Sequence, residues 1–304
     1  GDRCCRRIGF FIPSMSLVRV ISSCVICTLA AHELSLCQSW QVHPSWYDTS
    51  SKQVDWDKYP SGISSVTDSF PVLSRWQWGV CYAADVRGNN AYIGNGDLFQ
   101  VLDLSDPSNP LVIGELPLGA VSVISIKDSI AHVLGSRYYT VDISDPYHPK
   151  KLGELFLPWP MRVVPTDTFS YVSYFGGLAI VDYSDPTNLT VRNSTGVPGE
   201  FPVGLAVRNR TVYLTMEDDP RLLIFDVSDP DNPSTKELFT HTFLSAIVID
   251  SFLVAGSFGS VEVYNIADPN NPAEIASLQF GSAGVNYYVH SIAVDDSSIY
   301  LGTI

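Results

Sequence analysis

The side chains best suited to chemistry in this 304-residue chain fall into two sets. The first is a series of carboxylate pairs, Asp103/Asp106, Asp142/Asp145, Asp182/Asp185 and Asp226/Asp229. Carboxylates at D-x-x-D spacing share a turn. They could collect oxygens for Ca²⁺, or accept hydrogen bonds from the backbone N–H groups of the turn itself. No unit gathers the full oxygen set of an EF-hand-like loop, so turn capping is the better account. No cofactor is expected, with Ca²⁺ as the alternative. The second set is dispersed along the chain: Tyr82, Ser122, Arg162, Ser245 and His290. A Tyr, an Arg and a His brought together could hold a small anion or exchange protons as acid and base. The plainer reading is a ring of satisfied polar groups around water.

Several chemistries are excluded. There is no G-x-S-x-G elbow, since Gly256-Ser257-Phe258-Gly259 has the wrong spacing. The 6 His show no H-E-x-x-H pairing, which argues against zinc. Phosphate-cradling glycine loops are absent. Cys81, alone in an apolar run, reads as a core residue rather than a nucleophile. No catalytic residue and no metal ligand is assigned. A formal net charge of −14 leaves no basic footprint for nucleic acid.

The elements that must position these residues recur. Asp106, Asp145, Asp185, Asp229 and Asp268 each precede a Pro, at intervals of 39, 40, 44 and 39 residues. A strand-rich period near forty is the mark of a propeller blade. One unit, 80–119, reads as four strands: VCYAADV (80–86), AYIGN (91–95), LFQVLDL (98–104) and LVIGELPL (111–118), with turns between them. In SDPSNP (105–110) the first Pro presets φ for a turn, and the second starts a strand where a missing N–H costs nothing. Chain reversal alone explains the motif. The expected fold is all-β, a propeller of four-stranded blades, six in number. Aligning the first strands on Val86, Ile126, Pro165, Val207, Ile249 and Val294 puts Tyr82, Ser122, Met161, Val203, Ser245 and His290 at one level of the central channel, with Arg162 beside it.

Units such as YFGGLAIVDYSDP (174–186) resemble the LVIVD-repeat family of bacterial and archaeal cell-surface and secreted proteins, and the resemblance spans roughly residues 70–304. It implies a β-propeller in an extracytoplasmic setting and says little about activity. The fifth unit departs from it, with Asn265 and Ala267 in place of Asp and Ser, and the fourth is longer around Glu217–Arg221. PVLSRWQW (71–78) matches the fourth strand of the other units, and 289–304 supplies the first two strands of a last one. The expectation is therefore an N-terminal strand closing the final blade, and a chain cut short at its C-terminus.

Residues 1–37 read as an upstream segment plus a signal peptide, with Arg19 ahead of the apolar run 20–31. That run is too short to leave a transmembrane span in the mature chain. Residues 38–69 read as a leader, and 70–304 as the propeller. LSLC (34–37) offers Cys37 as a lipid-anchor alternative to plain secretion. Sequons at Asn188, Asn193 and Asn209 would carry glycans in a eukaryotic secretory pathway. Repetition without a unique catalytic cluster points to a secreted or cell-surface interaction module. It would bind a protein or glycan through blade loops or the channel mouth. The alternative is a hydrolase- or lyase-type enzyme with its site at the channel entrance.

Overall fold

A computed structural model describes residues 81–303, apart from 198–200, 218, 240, 280–287 and 295–297, together with the short strands Arg7–Ile8, Leu17–Ser22 and Ser65–Val66. Five four-stranded antiparallel sheets follow one another in chain order, each a simple meander. The first blade is Cys81–Arg87, Asn90–Asn95, Leu98–Asp103 and Leu111–Pro117. The first strands of successive blades, Cys81–Arg87, Val121–Lys127, Pro160–Pro165, Pro202–Arg208, Phe243–Ile249 and Val289–Val294, lie side by side in sequence order. The protein is a β-propeller, and these strands line its axis.

What holds the blades together follows from alternation. Successive strand residues point to opposite faces, so both faces of each sheet need cover. Tyr92, Phe99 and Val101 pack from blade one against Val121, Ile124 and Val133 of blade two. Blades two and three share Leu134, Tyr138, Val172 and Val181. Blades three and four share Ile180, Leu205, Leu214 and Phe225. Blades four and five share Tyr213, Ile224, Phe243 and Leu253. The cluster after that joins Val254 and Val263 to Ile292, Ile299 and Leu301 of the sixth sheet. Most of these side chains are fully buried, so truncating one such as Phe225, 0 % exposed, to Ala would cost about 3–5 kcal/mol.

The Asp turns are built alike. Asp103 Oδ1 accepts from Ser105 N at 2.8 Å, and Asp106 Oδ1 accepts from Ser108 N at 3.0 Å. Asp142, Asp182 and Asp226 repeat the first bond, and Asp145, Asp185, Asp229 and Asp268 the second. In the departing fifth unit Asn265 Oδ1 takes the Ala267 N–H at 2.9 Å, because an amide oxygen accepts as a carboxylate does. The serine hydroxyl bonds hold the carboxyls of Asp103, Asp142 and Asp182 below the usual range.

The motif has a second role that chain reversal does not capture. Each turn seats against the fourth strand of the blade before it. A Cβ on Gly114 would stand 2.3 Å from Pro146 O, and one on Gly153 would stand 2.5 Å from Pro186 O. Thr140 Oγ1 donates to Pro186 O at 2.6 Å. At the same fourth-strand position blade three has Asn193, whose Nδ2 donates to Asp231 O at 2.8 Å, and blade four has Lys236, whose Nζ donates to Asn270 O. The turns therefore clamp neighbouring blades.

The last sheet differs from expectation in its third strand. It contains Val289–Val294 and Ser298–Thr303, with Leu17–Ser22 paired in parallel to the latter. An uncovered edge presents a row of N–H and C=O groups that another segment can take. Residues 71–78, the expected closing strand, lie outside the described residues, as do the leader 38–69 apart from Ser65–Val66, and Cys37.

Candidate functional site at the channel mouth

Every first strand carries an irregularity at the same place. The register slips at Cys81/Ala83, Val121/Val123, Pro160/Arg162, Pro202/Gly204, Phe243/Ser245 and Val289/Ser291. A bulge inserts one unpaired residue and re-aims the side chains around it. The bulged residues are Tyr82, Ser122, Met161, Val203, Leu244 and His290. Ser245 is not among them. Val248, opposite Leu253, corresponds to Val86 opposite Ala91, so the alignment on Ile249 was one residue out. Ser245 instead shares the next level with Ala83, Val123, Arg162, Gly204 and Ser291.

That shift brings Arg162, Ser245 and His290 together. All three border one small space with Gly204 and Ser291, so residues of blades three, four, five and six meet around it. Tyr82 and Ser122 do not border it. Ser122 Oγ donates to Leu134 O at 3.2 Å, within its own blade. Ser245 Oγ donates to Val289 O at 2.8 Å, joining blades five and six. Arg162 Nη1 donates to Met161 O at 2.9 Å. Burial pulls the guanidinium down to about 10, so it stays charged at neutral pH. Burial first, and the Arg162 charge second, pull His290 down to about 4, leaving a neutral imidazole.

An aromatic rim lines part of this end of the channel. In a meander the first strand begins where the second ends, so the connectors at 156–160 and 201 and the second turns of blades three and five crowd one face. Trp159 lies 5.6 Å from Phe175, and Phe175 lies 5.0 Å from Phe201. Phe258 meets Tyr288 at 4.9 Å, and Tyr288 stacks near His290 at 6.0 Å. The Arg137 guanidinium sits over Phe156 at 5.7 Å. Trp159 is 70 % exposed and has φ 47°, a conformation costly for a bulky residue. The Phe175 N–H pins its loop by bonding Pro158 O and Trp159 O at 3.1 and 3.2 Å. Sequence reasoning passed over this rim, because connector aromatics carry no period.

It also missed two buried groups. Asp85, 3 % exposed, accepts from Val86 N at 2.7 Å and from Ile126 N of blade two at 2.8 Å. Burial pushes its carboxyl up to about 6. His132, 0 % exposed, meets Tyr138 OH at 2.5 Å, and that hydroxyl meets Ser170 Oγ of blade three at 2.8 Å. Its Nε2 has no hydrogen-bond partner, and burial pulls the imidazole down to about 3. The signal was available: the second-strand column reads Tyr92, His132, Tyr171, Tyr213, in which the His is the odd member.

Elsewhere, Cys81 Sγ donates to Ala83 O at 3.3 Å. In the long fourth-unit loop Asp219 is paired with Arg221, whose Nη1 also reaches Glu237 at 3.1 Å. Asn188 and Asn209 are exposed on turns at the end opposite the rim. Among the described residues no group of three His, Cys, Asp or Glu comes together as a metal-ligand set, and no helix is long and apolar enough to cross a membrane.

Two stretches, 82–116 and 162–195, match the LVIVD repeat. The repeat is recognised in these two segments. The first match takes in Tyr82 and Asp106, and the second takes in Arg162 and Asp185, so the motif spans strands and turns that hold both the channel level and the clamps. No curated protein matches the sequence. Among solved structures the chain is similar to a functionally unknown protein from Desulfotomaculum acetoxidans, at TM-score 0.57 and 10% identity over 65% of this chain and 69% of that one. It is also similar to a chain of a nidogen/laminin complex, at TM-score 0.50 and 13% identity over 79% and 88%. A third is a hypothetical selenium-binding protein from Sulfolobus tokodaii, at TM-score 0.52 and 10% identity over 64% and 60%. At these identities the likeness is one of fold.

Proposed function

We propose that the chain is an extracytoplasmic interaction module that binds a protein or glycan through the aromatic face at the channel mouth. The carrying observation is Trp159, 70 % exposed in a left-handed backbone, beside Phe175 and Phe201. Exposed aromatic clusters on one face mark binding surfaces, and strain held at a connector points to a selected orientation. Tryptophan supplies a flat apolar contact area with little conformational entropy to lose. A like-folded chain in the nidogen/laminin complex works in a protein assembly, which is a precedent for the fold and not for the ligand. The matches to the LVIVD repeat support the extracytoplasmic setting. Binding is favoured over catalysis because Ser245 is committed to a carbonyl instead of a base.

The test is direct. Wild type and Trp159→Ala are assayed on an immobilised glycan library and against surface proteins of the source organism. Binding that falls at least about tenfold in the variant, some 1.4 kcal/mol, with melting unchanged, supports the reading. Equal binding by both proteins refutes it.

A further inference from the structure

A guanidinium inside a fold is normally paired, since an uncompensated buried charge is expensive. Arg162, half-buried at the channel mouth, departs from that habit. It presents five N–H donors, and among the described residues its one hydrogen bond is Nη1 to the Met161 carbonyl at 2.9 Å. Among the described residues no carboxylate bonds to it. The charged head instead borders the channel space with Ser245 and His290. This happens in a chain of net charge −14, where acidic partners are plentiful.

Arg162, Ser245, His290 and Ser291 give the space its polar walls, beside Leu205, Ala246 and Ile292, and two partnerless hydroxyls lie in the strands behind it. Ser173 pairs with Arg162 across the ladder, and Thr215 pairs with Gly204. Both hydroxyls are 0 % exposed and find no hydrogen-bond partner among the described residues. Thr215 Oγ1 lies 2.2 Å from where a Cβ on Gly204 would stand, so it crowds the wall that Gly204 leaves open. Cross-strand partners project to one face of a sheet, which puts Ser173 on the face from which Arg162 reaches inward. The space is about 10 Å³, close to the minimum for one water, and it opens toward the mouth. A single-atom ion or one leading oxygen of a carboxylate suits so small a space better than a tetrahedral oxyanion does.

We propose that the space at Arg162 is a binding site for a small monoanion, a halide or the carboxylate end of a ligand entering through the mouth. A weakly hydrated guanidinium suits such anions, and charge-assisted N–H bonds supply the affinity. The neutral His290 ring and the Ser245 hydroxyl complete the wall without adding a competing negative charge. Where the carboxylate belongs to a larger ligand, this rests on the binding face proposed above; the anion site itself does not.

The experiment measures melting of the purified protein against chloride, acetate and sulfate at constant ionic strength. It uses wild type, Arg162→Met, Arg162→Lys and Trp159→Ala, and adds bromide-soaked crystals of the wild type. A ligand that binds only the native state raises stability in a saturable way. Saturable stabilisation by chloride or acetate is expected in wild type, absent in Arg162→Met and weaker in Arg162→Lys. A chloride response identifies a halide site, and an acetate response a carboxylate site. Bromide should give an anomalous peak within hydrogen-bond reach of Arg162, a readout that survives if Arg162→Met does not fold. Trp159→Ala should keep the anion response, which separates failure of the rim reading from failure of the anion site. A response to sulfate alone, no saturable response in wild type, or an undiminished response in Arg162→Met would overturn the proposal.

Discussion

His132→Phe should make the protein more acid-resistant. His132 is 0 % exposed at the boundary of blades two and three, with Nδ1 on Tyr138 and Nε2 unpartnered. Its imidazole titrates near 3 in the fold against 6.5 when free. The unfolded chain takes up a proton as pH drops below 6.5, and the folded chain does not until near 3. The stability tied to the neutral ring is thus complete above 6.5 and is lost as pH falls toward 3. Each pH unit is worth about 1.4 kcal/mol, so about 3 kcal/mol is gone by about pH 4.5. Phenylalanine fills the site without a titrating group. It gives up the Tyr138 bond, about 1 kcal/mol, and removes a buried ring nitrogen that lacks a partner, an opposing term of similar size. The two proteins should then be close in stability at about pH 7.5, and the variant ahead by about 3 kcal/mol at about pH 4.5. Urea unfolding of both proteins at both pH values gives this difference of differences, in which groups common to the two cancel. A gap that does not change with pH would show that His132 is not held neutral, and the reasoning would fail.

Asp85→Asn should act in the opposite sense. Its carboxyl titrates near 6 in the fold and 3.8 outside it, so the wild type loses about 3 kcal/mol as pH rises between those values. The variant lacks that slope, and a pH-independent gap in urea unfolding would contradict the assignment. Gly114→Ala tests the interblade clamp. The new Cβ would stand 2.3 Å from Pro146 O and 3.0 Å from Pro149 Cδ, so about 1–3 kcal/mol of stability should be lost. Unchanged melting would mean that the Asp-Pro turn does not seat there.

Much of the fold was legible because its determinants are local and repeated. The Asp-Pro spacing, the two-residue alternation and the turn chemistry each act within a few residues, and the strands fall where LFQVLDL and its counterparts placed them. The candidate site was legible only in pieces. Arg162 stood out as a long charge in an apolar strand, and His290 and Ser245 were named as channel groups, but Ser245 was set at the wrong level. A register slip of one residue is invisible without the ladder that shows it. The rim around Trp159 was missed because its members come from connectors in different repeats.

The amino-acid order alone determined that this chain makes blades, how many strands each has, and where each turn reverses, since φ preferences and hydrophobic period are properties of short segments. Only the tertiary structure decided that those turns lock onto the preceding blade, that His132 and Asp85 are buried, and that Arg162, Ser245 and His290 border one shared space. Those contacts join residues about one repeat or more apart, and their energies come from desolvation and close packing between blades, which no local pattern encodes.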